Sequence, residues 1–97
     1  MAKRLWSAFT DDMDSCFFTG YTQVERHHIL GNSNRKLSEK YGYIVPLRPD
    51  LHPNGVQANR KYAKQIDDHL KQMAQKDFEE KHGNRALFIE LFGKSYL

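Results

Sequence analysis

The chain of 97 residues is 39% hydrophobic and 12% aromatic, and it carries a formal net charge of +3. This length is enough for one small domain with a modest core, and it argues against a second domain. The single cysteine, Cys16, excludes an internal disulfide framework, and no apolar run is long enough for a signal peptide or a membrane span. We therefore expect a soluble protein of the cytoplasm with no membrane partner.

Residues 16–30, CFFTGYTQVERHHIL, predict a β-hairpin, because two apolar stretches flank TGYTQ and Gly20 can adopt a positive φ. The following GNSNRKLSEKYG predicts a loop with one helical turn that ends at Gly42. YIVPL then predicts a short strand, which Pro46 restricts to a sheet edge because proline cannot donate to a ladder. RPDLHPNG, residues 48–55, has the composition of a turn.

From about Val56 to His82 the pattern changes to that of a helix, and Gly83 is placed to end it. Asn84 can cap a final short helix, RALFIELFG. The predicted architecture is α+β, with two short antiparallel strands packed against a long helix and extra helical surface at the C-terminus. The apolar residues that recur at helical spacing are Tyr62, Ile66, Leu70, Met73 and Phe78.

Positive charge is concentrated in the middle third of the chain. Residues 35–64 carry seven Lys or Arg side chains against only Glu39 and Asp50, whereas the segments on either side are each slightly negative. A net charge of +3 does not by itself indicate a nucleic-acid partner. Its concentration directly after two adjacent histidines is more informative.

Three histidines are candidates for one site. His27 and His28 are adjacent, and neighbours on a regular strand face opposite sides, so both can serve one site only where the strand ends or bulges, as ILGN suggests. His52 follows the second predicted strand, and hairpin geometry would bring it close to the pair. Imidazole is a common metal ligand and a suitable general base near neutral pH. For any one histidine a surface or structural role is the more common outcome, and we interpret His69 and His82 as structural or surface residues.

Three segments of the chain read VERHHILG, NRKLSEKYGYIVPL and RPDLHPNGV. Together they resemble the HNH, or His-Me finger, endonucleases, in particular the small forms found in phages and prophages. The resemblance is close over about residues 11–60, and the ending FIELFGKSYL is similar to the tail of that group. It implies one HNH-like domain over residues 1–97. The N-terminal segment with the first strand would occupy 1–23, the ββα-metal motif 24–60 and a helical extension 61–97.

The same resemblance implies a metal-dependent hydrolase of DNA phosphodiester bonds. His28 would be the general base, and His27 and His52 would bind one divalent ion, Mg, Mn, Ni or Zn. DNA, duplex or branched, would be held through non-specific phosphate contacts that weaken with salt. The side chains implied for those contacts are Arg26, Arg35, Lys36, Lys40, Arg60 and Lys61.

The chain departs from the family pattern at the structural zinc site found in many relatives. Cys16 is followed by Phe17, Phe18 and Thr19, and the second half of that site reads RPDL, so three of four ligands are missing. A structural zinc normally needs four ligands. We therefore expect no structural zinc, with Cys16 a buried small residue and Leu51 also apolar.

A second departure concerns the catalytic metal. Phage relatives commonly have another histidine where this chain has Gln57, and amide oxygen is a poorer ligand for transition metals. Asn54 is a possible substitute ligand. The metal site is then weakened, biased toward Mg²⁺ or Mn²⁺, or lost.

Two alternatives to a nuclease stay open. One is a catalytically degenerate HNH scaffold that binds nucleic acid or a host protein, as a phage accessory or anti-defence factor. The other is an interaction module that uses the long helix and ALFIELF as a homodimer or partner surface, although packing within its own domain is the more probable fate of that stretch.

Overall fold

The computed structural model describes residues 5–53 and 55–97. It is a mixed α+β structure, as predicted, with a two-stranded antiparallel sheet followed by helices. Short 3-10 turns lie at Asn32–Asn34 and Pro49–Leu51. The regular elements in chain order are β1 (Glu25–His28), α1 (Arg35–Tyr41), β2 (Ile44–Leu47), α2 (Arg60–Lys81) and α3 (Arg85–Phe92).

The sheet pairs β1 with β2, placing His27 opposite Val45 and His28 opposite Ile44. The prediction of a hairpin within residues 16–30, and with it a first strand before residue 24, is wrong. Residues 16–21 instead turn back on themselves, because Cys16 N–H donates to the Tyr21 carbonyl and Gly20 N–H to the Cys16 carbonyl. This turn reaches the sheet through a hydrogen bond from Phe17 N–H to the Pro46 carbonyl, at 2.8 Å.

Helix α1 fills the connection between the two strands and is longer than the single turn predicted. It ends at Gly42 as expected, where φ is +76° and the left-handed conformation favours glycine. Ser38 of α1 is buried, and its hydroxyl donates to the Leu30 carbonyl at 2.6 Å and accepts from the Leu30 N–H at 3.1 Å. This pair of bonds fixes α1 against the chain just beyond the end of β1.

Helix α2 begins four residues later than predicted. Asn59 caps it by accepting from Lys61 N–H, whereas Val56 lies in the preceding turn and is fully exposed. The prediction that Asn84 caps a last helix is confirmed, since its side chain accepts from Leu87 N–H at 2.9 Å. No helix among the described residues is long and apolar enough to cross a membrane.

The core lies between the sheet and the helices. All four residues of β2 are buried, and aromatic rings from α2 and α3 pack against one another. Cys16 is a free thiol, 4% exposed, and Leu51 packs on the edge of the core, so both have the apolar environments predicted for them. The largest buried rings are Tyr43, Phe78 and Phe88.

Candidate functional site

Strand β1 sorts its polar side chains onto two faces. Glu25 and His27 are two residues apart and both contact His52, whereas His28, the last residue of the strand, lies beside Glu39 of α1. The prediction that the strand ends at the paired histidines is confirmed. The two imidazoles therefore begin on opposite faces, with His28 at the point where the regular strand stops.

His27 and His52 meet although 24 residues separate them in the chain. Their ring centroids lie 4.9 Å apart at an interplanar angle of 66°. His27 is 2% exposed, and its Nε2 is buried with no hydrogen-bond partner among the described residues. A buried nitrogen without a partner is uncommon in folded proteins and calls for an explanation, such as a bound ion or water.

Glu25 orients His52, and the sequence analysis missed it. The His52 Nδ1 atom lies 2.7 Å from Glu25 Oε1, and the carboxylate is 40% exposed. Gly55 leaves space for this pair, because a Cβ atom there would lie 2.9 Å from Glu25 Oε1 and 3.0 Å from His52 Nδ1. The signal that could have revealed Glu25 is its two-residue spacing from His27, which places both on one face of a strand.

Burial keeps His27 neutral. It lowers the pKa of His27 from 6.5 to about 3, and the nearby charges of His52, His28 and Lys71 act in the same direction. A neutral imidazole has one unprotonated nitrogen. His27 therefore keeps a free lone pair throughout the physiological pH range.

His28 lies in a mixed electrostatic environment. Burial lowers its pKa most, Arg35 lowers it further, and Glu39 opposes the shift from 3.9 Å away. Its Nε2 atom also lacks a hydrogen-bond partner among the described residues. The charge of His52 contributes to lowering the same pKa.

The remaining predicted metal ligands do not complete a site in the described part of the chain. Gln57 is exposed in the turn before α2, and Asn54 lies outside the described residues. Residues 5–53 and 55–97 contain no group of three His, Cys, Asp or Glu side chains arranged to hold a metal ion. The structure thus brings together two predicted ligands, His27 and His52, and not a full set.

The cations predicted to hold phosphates are all exposed. Arg26 is the only one of them with an ion-pair partner among the described residues, because its Nη2 lies 2.8 Å from Asp14 Oδ1. Three of the others belong to α1 and two lie in the first turn of α2. These five are Arg35, Lys36, Lys40, Arg60 and Lys61.

Comparison of the chain with models of protein families, with curated proteins and with solved structures found no match. In the segment RPDL, residues 48–51, Arg48 and Asp50 form an ion pair with each other, at 2.9 Å between Nη2 and Oδ2.

Proposed function

We propose that the protein is a metal-dependent endonuclease of the HNH type that hydrolyses DNA phosphodiester bonds. His28 is the general base, and His27 and His52 hold one divalent ion. The observation that carries the proposal is the contact between the His27 and His52 rings, with a buried, unpartnered Nε2 on His27. The order of β1, β2 and α2 along the chain is the order of a ββα-metal motif, which also supports it.

The donors at this site fit a divalent ion. His27 and His52 offer imidazole nitrogens, which suit Mn, Ni and Zn, and Glu25 fixes His52 as a carboxylate partner of a metal-binding histidine commonly does. Two protein ligands suffice where waters and substrate phosphate oxygens complete the coordination, as is usual for Mg²⁺. The ion, when bound, would polarise the scissile phosphate and stabilise the departing 3′ oxygen.

His28 is suited to accept a proton from the attacking water. Its lowered pKa leaves the imidazole neutral near pH 7, and its Nε2 lone pair is not used by any described residue. Arg35, one of the cations proposed to hold phosphates, lowers the pKa of His28 through its positive charge. Glu39 on the other side can stabilise the imidazolium after the proton has moved.

The exposed cations of α1 and of the start of α2 supply the phosphate contacts. Such contacts position the duplex without reading its sequence, and they release counterions. We expect DNA affinity to fall steeply as salt rises. Arg26 contributes less than the others, because it must first leave Asp14.

The test is nicking of supercoiled plasmid by purified protein with Mg²⁺, Mn²⁺, Ni²⁺ or Zn²⁺ in turn. His28→Ala should lower the rate by about 10² to 10⁴. His82→Ala is the matched control, since His82 lies at the far end of α2 against Tyr41 and should leave nicking unchanged. Isothermal titration with Mn²⁺ adds a readout independent of turnover, in which His27→Ala and His52→Ala abolish binding. Plasmid left intact with all four ions would refute the endonuclease.

A second candidate is a catalytically degenerate HNH-type scaffold that binds nucleic acid or a host protein without cleaving it. It is favoured by the exposed Gln57 and by the absence of a three-ligand group among the described residues. Salt-dependent DNA binding that His28→Ala leaves intact, with no nicking by any ion, is its expected result. Nicking that depends on His28 eliminates it.

A further inference from the structure

An apolar groove runs beside the histidine site, between the turn at residues 16–21 and the first half of α2. Its volume is about 360 Å³, and it is shallow and largely open to solvent. One wall is a single face of α2, formed by residues at positions i, i+3, i+4 and i+7. The lining residues are Phe18, Leu51, Tyr62, Gln65, Ile66 and His69.

The groove presents aromatic surface that the fold does not use. Phe18 and Tyr62 are each 42% exposed, and the ring centroid of His69 lies 6.3 Å from that of Phe18. Exposed aromatic rings that line a cleft are the usual means by which proteins stack unpaired bases. Gln65 adds an amide that can donate to or accept from the edge of a base.

Charge at the groove matches a nucleic-acid strand. Arg60 and Lys61 precede Tyr62 at the start of α2, and Lys61 Nζ lies 5.5 Å from the Tyr62 ring centroid. Neither cation has an ion-pair partner among the residues that the structure describes.

The two carboxylates in the middle of α2 are each neutralised by a lysine of the same helix. Asp68 pairs with Lys64 and Asp67 with Lys71, each at 2.8 Å. The local excess of positive charge therefore comes from the first turn of α2, where a phosphate next to a base bound in the groove would lie.

The groove also adjoins the candidate site through the backbone, because Leu51 lines it and His52 is the next residue. We propose that this groove binds an unpaired nucleobase of a DNA strand whose phosphates pass the histidines. The inference rests on the proposed function and deepens it, because the substrate becomes DNA with a single-stranded or distorted segment beside the scissile bond.

The experiment measures binding by fluorescence anisotropy in EDTA, so that cleavage plays no part. The probes are a labelled oligothymidylate and an abasic strand of equal length and charge. Tyr62→Ala should weaken binding of the oligothymidylate by about fivefold to a hundredfold and leave the abasic strand unchanged. Tyr21→Ala is the matched control, a tyrosine 50% exposed outside the groove lining, and should match the wild type on both strands.

Several results would overturn the groove proposal. One is a Tyr62→Ala variant that binds both strands as tightly as the wild type does. A second is a Tyr62→Ala variant that loses affinity for both strands equally. A third is a Tyr21→Ala variant that loses as much affinity for the oligothymidylate as Tyr62→Ala does. A concentration-dependent increase in mass by light scattering, removed by Tyr62→Ala, would assign the groove to a second copy of this chain and overturn it as well. Circular dichroism confirms that each variant is folded.

The result of the binding experiment can be distinguished from the result of the plasmid-nicking test. If the protein nicks plasmid but binds the oligothymidylate and the abasic strand equally well, the groove proposal is overturned and the endonuclease proposal is not. Base-dependent binding without nicking supports the groove and overturns the catalytic proposal, leaving a DNA-binding scaffold.

Discussion

Replacement of Ser38 by alanine should destabilise the protein far more than the loss of one hydroxyl on a surface would. Ser38 is fully buried, and its Oγ bonds both backbone groups of Leu30, donating to the carbonyl at 2.6 Å and accepting from the N–H at 3.1 Å. Leu30 is itself 1% exposed. Alanine therefore leaves a buried donor and a buried acceptor without partners at the point where β1 ends.

The expected magnitude follows from these two groups. A buried polar group left unpaired costs about 1 to 3 kcal/mol, so the two groups together give a loss of about 2 to 6 kcal/mol in the free energy of unfolding. Small domains have total stabilities of about 5 to 15 kcal/mol, so the midpoint of unfolding should fall markedly.

Urea denaturation followed by circular dichroism measures this change. Ser33→Ala is the matched control, because Ser33 lies exposed in the same connection and its replacement should change stability by about 0.5 kcal/mol or less. A Ser38→Ala variant as stable as Ser33→Ala would refute the reasoning, since it would mean that water or a shifted backbone satisfies Leu30.

Three further predictions concern single groups. In EDTA, lowering the pH from about 8 to about 5 should remove about 2 kcal/mol of stability through His27, because the unfolded chain binds a proton near pH 6.5 and the folded chain only near pH 3. Urea titrations at several pH values should show this dependence reduced in His27→Gln. Tyr43→Phe removes the hydroxyl that donates to the buried Asp77 carboxylate at 3.0 Å, and it should lower the free energy of unfolding by about 1.5 to 3 kcal/mol in urea denaturation. An unchanged unfolding midpoint would contradict this hydrogen bond. Gly42→Ala places a Cβ 2.6 Å from the Trp6 ring at φ +76°, so it should lower thermal stability and shift tryptophan emission; an unchanged emission spectrum would contradict the contact.

The helices were largely predictable, because their signals are local. Side chains capable of capping lie at the start of α2 and α3, and glycines follow α1 and α3. The start of α2 was placed four residues early, since Val56 fits an apolar pattern although the chain there turns away from the core. A cap such as Asn59 decides a boundary more reliably than periodicity does.

The strand pairing was only half predictable. The two segments that form the sheet were both recognised as strands, but the partner of β1 was sought in residues 16–18 and lies instead in β2. The residues around Gly20 form a tight turn, as the local pattern indicated, but the segments on either side of it do not pair as strands. Pairing over a long connection depends on how α1 packs between the strands, which no short window of sequence contains.

By itself the sequence determined the α+β class, the helical second half and the cap at Asn84, because each depends on residue type and short-range spacing. Only the tertiary structure decided that His27 meets His52, that His28 faces Glu39, and that Glu25 supports the site. These contacts join residues that are remote in the chain, and the burial that lowers the pKa of His27 to about 3 exists only after the sheet and helices have packed. The groove beside Tyr62 likewise exists only in the folded chain, where a turn and a helix face each other.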